Sequence, residues 1–278
     1  MRTLSYGNLV TTENYLADGS GAGTVSRNDI QQGTMTWNAN QQGTITLSSG
    51  SSTYSASRYY APGRNALALD GGYVGLASVL TGVATSFTYE FWARPRATHQ
   101  NDGQTTSGVG GTSGQHYVWD PLRGPTGKAG VGVSMGTNGI SVYEHAVNYM
   151  PAKLVYPTTL SGWTHVAVVY KNNQPSLYVN GVFAKTGYSG GGRTAVACYG
   201  FGRNYWGGFS GDLDEMRVWN YDRSASQIQA DMNRSLTGTE PGLVSYWPCN
   251  EGSGTILNDM SPTARQIPFS GTVNWTTR

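Results

Sequence analysis

Residues Gly200–Asp222 read GFGRNYWGGFSGDLDEMRVWNYD, and the fold is decided there. In Met216-Arg217-Val218-Trp219 apolar and polar side chains alternate, the period of a strand with one buried face. Asp212 and Asp214 stand two residues apart where that strand begins, so as strand residues they share a face. Before it, Arg203-Asn204-Tyr205-Trp206 is set between glycines that free the backbone. Two carboxylates on one face need cations, backbone N–H groups or water as partners. Three readings follow from this pattern alone: a metal site, a strand-end cap, or a sugar-binding lip.

Outward from this stretch the same strand pattern recurs through a chain of 278 residues, of which only 12% are charged while 18 are Tyr and 8 are Trp. Many polar uncharged residues, many aromatics and Gly-rich turns build sheets with hydrogen-bonding outer faces. The net charge of +2 is spread singly along the chain, so there is neither a nucleic-acid stripe nor a polybasic membrane patch. Nothing approaches the roughly 18 consecutive apolar residues of a membrane span. The opening MRTLSYGNLVTTENYL lacks the apolar core of a signal peptide. Cys198 and Cys249 both fall in predicted core strands, where two buried thiols are expected and a single disulfide is the alternative. His99, His116, His145 and His165 are isolated in sequence, without zinc-ligand spacing.

Two regions are expected, an N-terminal β-rich extension over residues 1–62 and a main domain over residues 63–278. In the first, Gln31-Gln32-Gly33-Thr34-Met35-Thr36-Trp37 is echoed by Gln41-Gln42-Gly43-Thr44-Ile45-Thr46-Leu47. Each copy alternates apolar residues with Thr. The plain reading is a pair of neighbouring strands on the main domain; the sharper one is an assembly module that stacks on another chain. In the second region, strands are expected at Ala66–Leu69, Phe87–Pro95, His116–Trp119, Gly130–Met135, Ile140–His145, Trp163–Tyr170 and Leu243–Trp247. Between Ser176–Val179 and Val182–Ala184, Asn180-Gly181 predicts a hairpin with a type I′ turn. A polar loop over residues 97–115 is long enough to expect function or mobility of it. The one credible helix is Ala225–Arg234, with Ser224 as cap and Gln227 completing a capping box. Together these predict an all-β, two-sheet antiparallel jelly-roll sandwich with one short helix and an N-terminal β extension.

The ordered motifs ALALDGGYV, FTYEFWARP, WTHVAVVY, LYVNGV, FGRNYWGGFSGDLDEMRVWN and GLVSYWPCNEGSGTILNDMSP make the chain from Asn65 onward resemble the laminin-G-like, concanavalin A-like jelly-roll domains. The resemblance implies a fold shared by sugar-binding modules, adhesins and structural spacers, found mostly in secreted and surface proteins. It also implies a structural calcium ion near the sheet rim, for which Asp70, Asp212, Asp214 and Asp259 are the candidates, with Glu251 nearby in sequence. Where relatives often carry Asp-x-Ser-Gly-Asn-x-Asn, this chain has Asp259-Met260-Ser261-Pro262-Thr263-Ala264-Arg265, a departure that counts against calcium. The plain alternative for Asp214 and Glu215 is that backbone N–H groups hold the first and an arginine such as Arg217 or Arg203 pairs with the second.

Sugar hydrolases on this fold carry a strand with Glu-x-Asp-x-Glu or Glu-x-Asp-x-x-Glu, whose carboxylates stand about 5 Å apart. No such strand is present, so a glycoside hydrolase ranks last and a non-catalytic chain is expected. The expected ligand groups are Trp119, Arg203, Asn204, Tyr205 and Trp206, with His116, Tyr117, Tyr149 and Tyr156 as further loop aromatics and polar groups. For Trp119 and Trp206, core and exposed placements are equally compatible with the sequence, whereas Trp92, Trp163, Trp219 and Trp247 read as core. Carbohydrate binding or adhesion to a glycan or cell-surface polymer, outside the cell, leads this reading. The alternative is a self-assembling surface or filament protein that makes its homo-oligomer contacts through residues 1–62.

Overall fold

The computed structural model describes residues 64–202 and 204–278, together with the backbone of strand segments among residues 2–58. By its contacts the chain divides into two units, Met1–Arg64 with Asn233–Ser235 and Thr277–Arg278, and Asn65–Met232 with Leu236–Thr276.

The first unit contains six strands: β1 (Arg2–Tyr6), β2 (Leu9–Tyr15), β3 (Gly21–Arg27), β4 (Gln31–Trp37), β5 (Gly43–Ser49) and β6 (Ser52–Arg58). They pair in sequence order as one antiparallel meander. The two repeats are β4 and β5, and their register sets Met35 opposite Ile45. How the side chains of these strands pack lies outside the described residues.

The second unit is a sandwich of two sheets. One contains β7 (Asn65–Asp70), β9 (Phe87–Pro95), β14 (Thr164–Lys171), β15 (Gln174–Val179), β16 (Val182–Thr186), β18 (Ser210–Trp219), β19 (Leu243–Trp247) and β22 (Val273–Thr277). The other contains β8 (Tyr73–Ala84), β10 (Tyr117–Trp119), β11 (Lys128–Gly136), β12 (Gly139–His145), β13 (Ala152–Pro157), β17 (Thr194–Phe201), β20 (Ile256–Leu257) and β21 (Ile267–Ser270). Where the register between strands is described it is antiparallel, apart from a short parallel stretch between β11 and β17, and isolated parallel bridges join Gln104 to Ala152 and Tyr117 to Gly208. The hairpin is formed as expected, with Asn180 and Gly181 both at positive φ (51° and 76°). The helix α1 (Ala225–Asp231) has the expected Ser224–Gln227 capping box but ends before Arg234.

The sheets face each other across one apolar core. From the first sheet come Phe87, Tyr89 and Phe91, then Val166, Val168 and Tyr170, then Leu213, Met216 and Val218; Trp119, Val131, Val133, Met135 and Val142 answer from the second. Along β9 the inward residues alternate strictly with Thr88, Glu90, Trp92 and Arg94, the period of two that a strand imposes. Along β18 the period breaks: Leu213 and Met216, three apart, both reach the core. A β-bulge accounts for this, because the register against β9 jumps between Asp214↔Trp92 and Arg217↔Glu90 while Glu215 takes φ 56°. One extra residue re-aims the rest of the strand. Cys198 and Cys249 are buried free thiols, as expected.

Candidate functional site

The charged side chains Asp212, Glu215 and Arg217 in the strand half of Gly200–Asp222 lie on the face of the first sheet turned away from the core, and they are engaged in ion pairs. Arg94 Nε donates to Asp212 at 2.7 Å, and Arg96 joins the same carboxylate while its other nitrogen reaches Asp70 at 2.8 Å. Asp70 and Asp212 therefore converge on a guanidinium. Asp214 is buried and sits opposite Trp92 in the register. Asp259 lies elsewhere, accepting the N–H groups of Tyr246 (2.9 Å) and Ser261 (2.8 Å) and the Thr263 hydroxyl (3.1 Å). Glu251 accepts from the backbone N–H of Asn258 at 2.8 Å. Calcium takes six to eight oxygens around one point. Among the described residues no three carboxylates, imidazoles or thiols gather to hold a metal, and Arg96 stands where Asp70 and Asp212 meet. The four Asp candidates as arranged do not fit the ion.

Further along the same face, Glu90, Glu215, Arg217, Arg223 and His165 are all buried. Arg223 pairs with both Glu90 and Asp231 of α1, Arg217 pairs with Glu215 and approaches Glu90 at 3.6 Å, and His165 Nε2 lies 3.7 Å from Glu90. Tyr246 donates its hydroxyl to Glu215 at 2.9 Å, and Arg223 stacks on the Trp219 ring at 4.0 Å. Burial by itself would raise the Glu90 carboxyl; the His165 imidazole beside it and the Arg223 and Arg217 charges outweigh that and hold Glu90 below its ordinary range. Glu215 is paired with an arginine as expected, and it is Arg217. With α1 laid over it and its charges matched, this cluster is a structural clasp between helix and sheet.

The glycine-flanked half behaves differently. Residues Asn204–Trp206 form a single 3-10 turn, which sets Tyr205 and Trp206 beside the outer face of the second sheet. Tyr205 is 74% exposed. The Trp206 ring stands edge-on to His145 (5.0 Å) and Tyr117 (6.1 Å), and its carbonyl accepts the Gln115 N–H at 2.9 Å. With Asp120, Pro121, Leu122 and Arg123 these aromatics line a pocket of about 260 Å³, almost wholly apolar at its walls. The 120–123 segment crosses β11 where that strand carries Gly132, and a Cβ there would stand 2.5 Å from the Pro121 ring. His145 anchors the segment: its Nδ1 lies 2.6 Å from the Pro121 carbonyl. A carbonyl only accepts, so Nδ1 carries the proton and Nε2 is left as an acceptor in the neutral ring. Burial lowers the His145 pKa, favouring that neutral form.

Of the expected ligand residues, then, Tyr205 and Trp206 meet at the pocket. Arg203 lies outside the described residues, and only the backbone of Asn204 is described. Trp119 is a correction: fully buried, it stacks on Tyr89 at 4.4 Å and meets Phe201 and Trp247 edge-on. Its place on β10 points it into the sandwich, because Tyr117, two residues earlier, lies before an irregularity in the register. Trp219 and Trp247 are buried as expected. Asp120, Pro121, Leu122, Arg123 and His145 are the additions that sequence reading did not find. Their signal is Gly130 and Gly132 in KAGVGVSMG, two absent side chains on one face of a strand, which mark a close backbone approach. The 97–115 loop is tied down, through Thr105 N–H to Ala152, Gly110 N–H to Met150, and the Tyr117 and Tyr143 hydroxyls to Gly111 and Asp102.

The profile of the concanavalin A-like lectin/glucanases superfamily matches residues 69–229, more than half of the chain. The chain belongs to that superfamily. No curated protein matches it. Among solved structures, this superfamily member is similar to a protein from Bacteroides ovatus ATCC 8483 named for carbohydrate binding, at 19% identity and TM-score 0.50 over 99% of this chain and 70% of that one. It is also similar to domain 4 of the extracellular GH43 arabinanase AbnA from Geobacillus stearothermophilus, solved with arabinotriose (16% identity, 80% and 86% of the two chains, TM-score 0.34). A third is the heptameric SAP-like pentraxin of Limulus polyphemus (14%, 60% and 75%, TM-score 0.31). At these identities the likeness concerns the fold. No helix among the described residues is long and apolar enough to cross a membrane.

Proposed function

We propose that this concanavalin A-like chain is a non-catalytic, extracellular carbohydrate-binding or adhesion module that seats a glycan residue in the pocket of Tyr117, Asp120–Arg123, His145, Tyr205 and Trp206. The observation that carries the reading is the pocket itself. Aromatic side chains line an opening, Tyr205 among them is exposed, and Arg123 and His145 supply directional polar groups. Sugars are held by that combination of C–H packing on rings and a few placed hydrogen bonds. A single carboxylate, Asp120, lines the pocket, and hydrolysis of a glycosidic bond uses two, which supports binding without catalysis. The test is a glycan array of the full chain and its Trp206→Ala variant, each with and without EDTA. Binding that is lost in the variant and indifferent to EDTA is expected; binding that survives Trp206→Ala places the glycan elsewhere.

A second reading concerns the first unit. Its meander ends in two edge strands, β1 and β6, and an open edge can pair with another chain. Self-assembly through residues 1–62 predicts that a chain lacking them has a lower oligomeric mass by light scattering. Equal oligomeric states for the two chains would sink it.

A further inference from the structure

We infer that the pocket selects an acetamido sugar, an N-acetylhexosamine residue, over the corresponding plain hexose; the inference rests on the binding reading above. The walls decide the class. Leu122, Pro121 and the Trp206 and Tyr117 rings make the lining almost wholly apolar. A hexose presents hydroxyls on nearly every carbon, and each one set against such a wall loses water without gaining a partner. An acetamido group instead brings a methyl that the wall can cover and an amide N–H that needs one acceptor. The pocket has that acceptor. His145 spends its Nδ1 proton on the Pro121 carbonyl, leaving Nε2 to accept, and the same hydrogen bond holds the ring against Trp206. Arg123, exposed among the lining residues, is a donor suited to the acetamido carbonyl. At about 260 Å³ the space suits one sugar residue, smaller than the sites that enclose drug-sized ligands.

A matched pair of disaccharides tests the class directly. The full chain is titrated by calorimetry with N,N′-diacetylchitobiose and with cellobiose, which differ only in acetamido for hydroxyl groups, and with fucose as a sugar that has a methyl but no amide. The diacetyl sugar is expected to bind about tenfold or more tightly than cellobiose, since a site that pairs a polar group discriminates strongly against its absence. His145→Phe, which keeps a ring but removes the Nε2 acceptor together with the Nδ1 bond to Pro121, is expected to erase most of that preference while retaining the fold by circular dichroism. Equal affinity for cellobiose and the diacetyl sugar would overturn the acetamido assignment and leave sugar binding standing. Fucose binding as tightly as the diacetyl sugar would overturn the role of His145 as amide acceptor. No heat with any of the three, and no saturation-transfer signal from them by NMR, would overturn the binding reading together with this one.

Discussion

The two halves of Gly200–Asp222 differ in residue type, one glycine and aromatic, the other rich in carboxylates, and they come to opposite ends. The charges of Ser210–Trp219 lie on the face away from the core, where under α1 Glu90, Glu215 and Asp231 are paired with Arg217 and Arg223. Asn204–Trp206 holds aromatics outward beside an open pocket. The difference teaches that a carboxylate-rich strand is no better a pointer to chemistry than an aromatic turn. What matters is whether the groups already have partners. Buried ions with matched partners are committed to the fold, since removing one leaves the other uncompensated. Rings that line an opening among the described residues can still meet a ligand.

The largest effect that would break this comparison comes from the clasp. Arg223→Leu leaves Glu90 and Asp231 short of a partner, and a loss of about 3–5 kcal/mol in urea unfolding is expected. A loss below about 1 kcal/mol would mean the cluster is solvated and the contrast false. The second test uses a buried glutamate that no arginine clasps. Glu144 on β12 is buried, with the Tyr149 hydroxyl at 3.0 Å, that of Tyr170 at 3.3 Å and Lys153 at 4.0 Å. Burial outweighs Lys153 and the two tyrosines, raising Glu144 from 4.5 to about 7. The folded state then holds a proton that the unfolded state has lost, so stability is greatest at acid pH and falls as pH rises from about 4.5 through 7. The fall amounts to about 3 kcal/mol, and Glu144→Gln is expected to flatten it in denaturation curves taken across that interval. Glu90 has the opposite sign: its lowered pKa adds stability above its unfolded value, which is lost on acidification. An unchanged pH slope in Glu144→Gln would remove the contrast between the two glutamates.

Smaller effects sharpen the pocket side. Gly132→Val pushes against Pro121 and is expected to cost about 1–3 kcal/mol by overpacking, together with loss of glycan binding as the 120–123 wall shifts. Retained affinity in that variant would show that the wall does not bind. Tyr205→Ala should leave the melting midpoint nearly unchanged, within about 0.5 kcal/mol, because the side chain is exposed. Its glycan affinity should fall, though less than in Trp206→Ala. A clear loss of stability in Tyr205→Ala would place that ring in the packing instead.

Much of the architecture was legible because it rests on local rules. Strand alternation, the Asn180-Gly181 turn and the Ser224–Gln227 box are statements about neighbouring residues, and each is formed. The site was half legible. Tyr205 and Trp206 stood out between glycines, while His145, Asp120 and Arg123 are far from them in sequence and gave no local sign of sharing a pocket. Trp119 shows the limit most clearly: a tryptophan among polar residues can face either way, and only the irregular register of β10 turned it inward.

By itself the sequence determined that this is an all-β chain with a jelly-roll order of strands, because hydrophobic period and turn chemistry act over a few residues. The tertiary structure decided which charges are paired within the fold and which rings line the pocket. That choice depends on what packs against each face: α1 against the carboxylates, and beside Trp206 the His145 and Tyr117 rings with the 120–123 segment that Gly130 and Gly132 let approach. Glu215 finds Arg217 two residues on, as its sequence allowed, but Glu90 takes Arg223 and Arg217 from remote parts of the chain, and no spacing rule along the sequence could supply those partners.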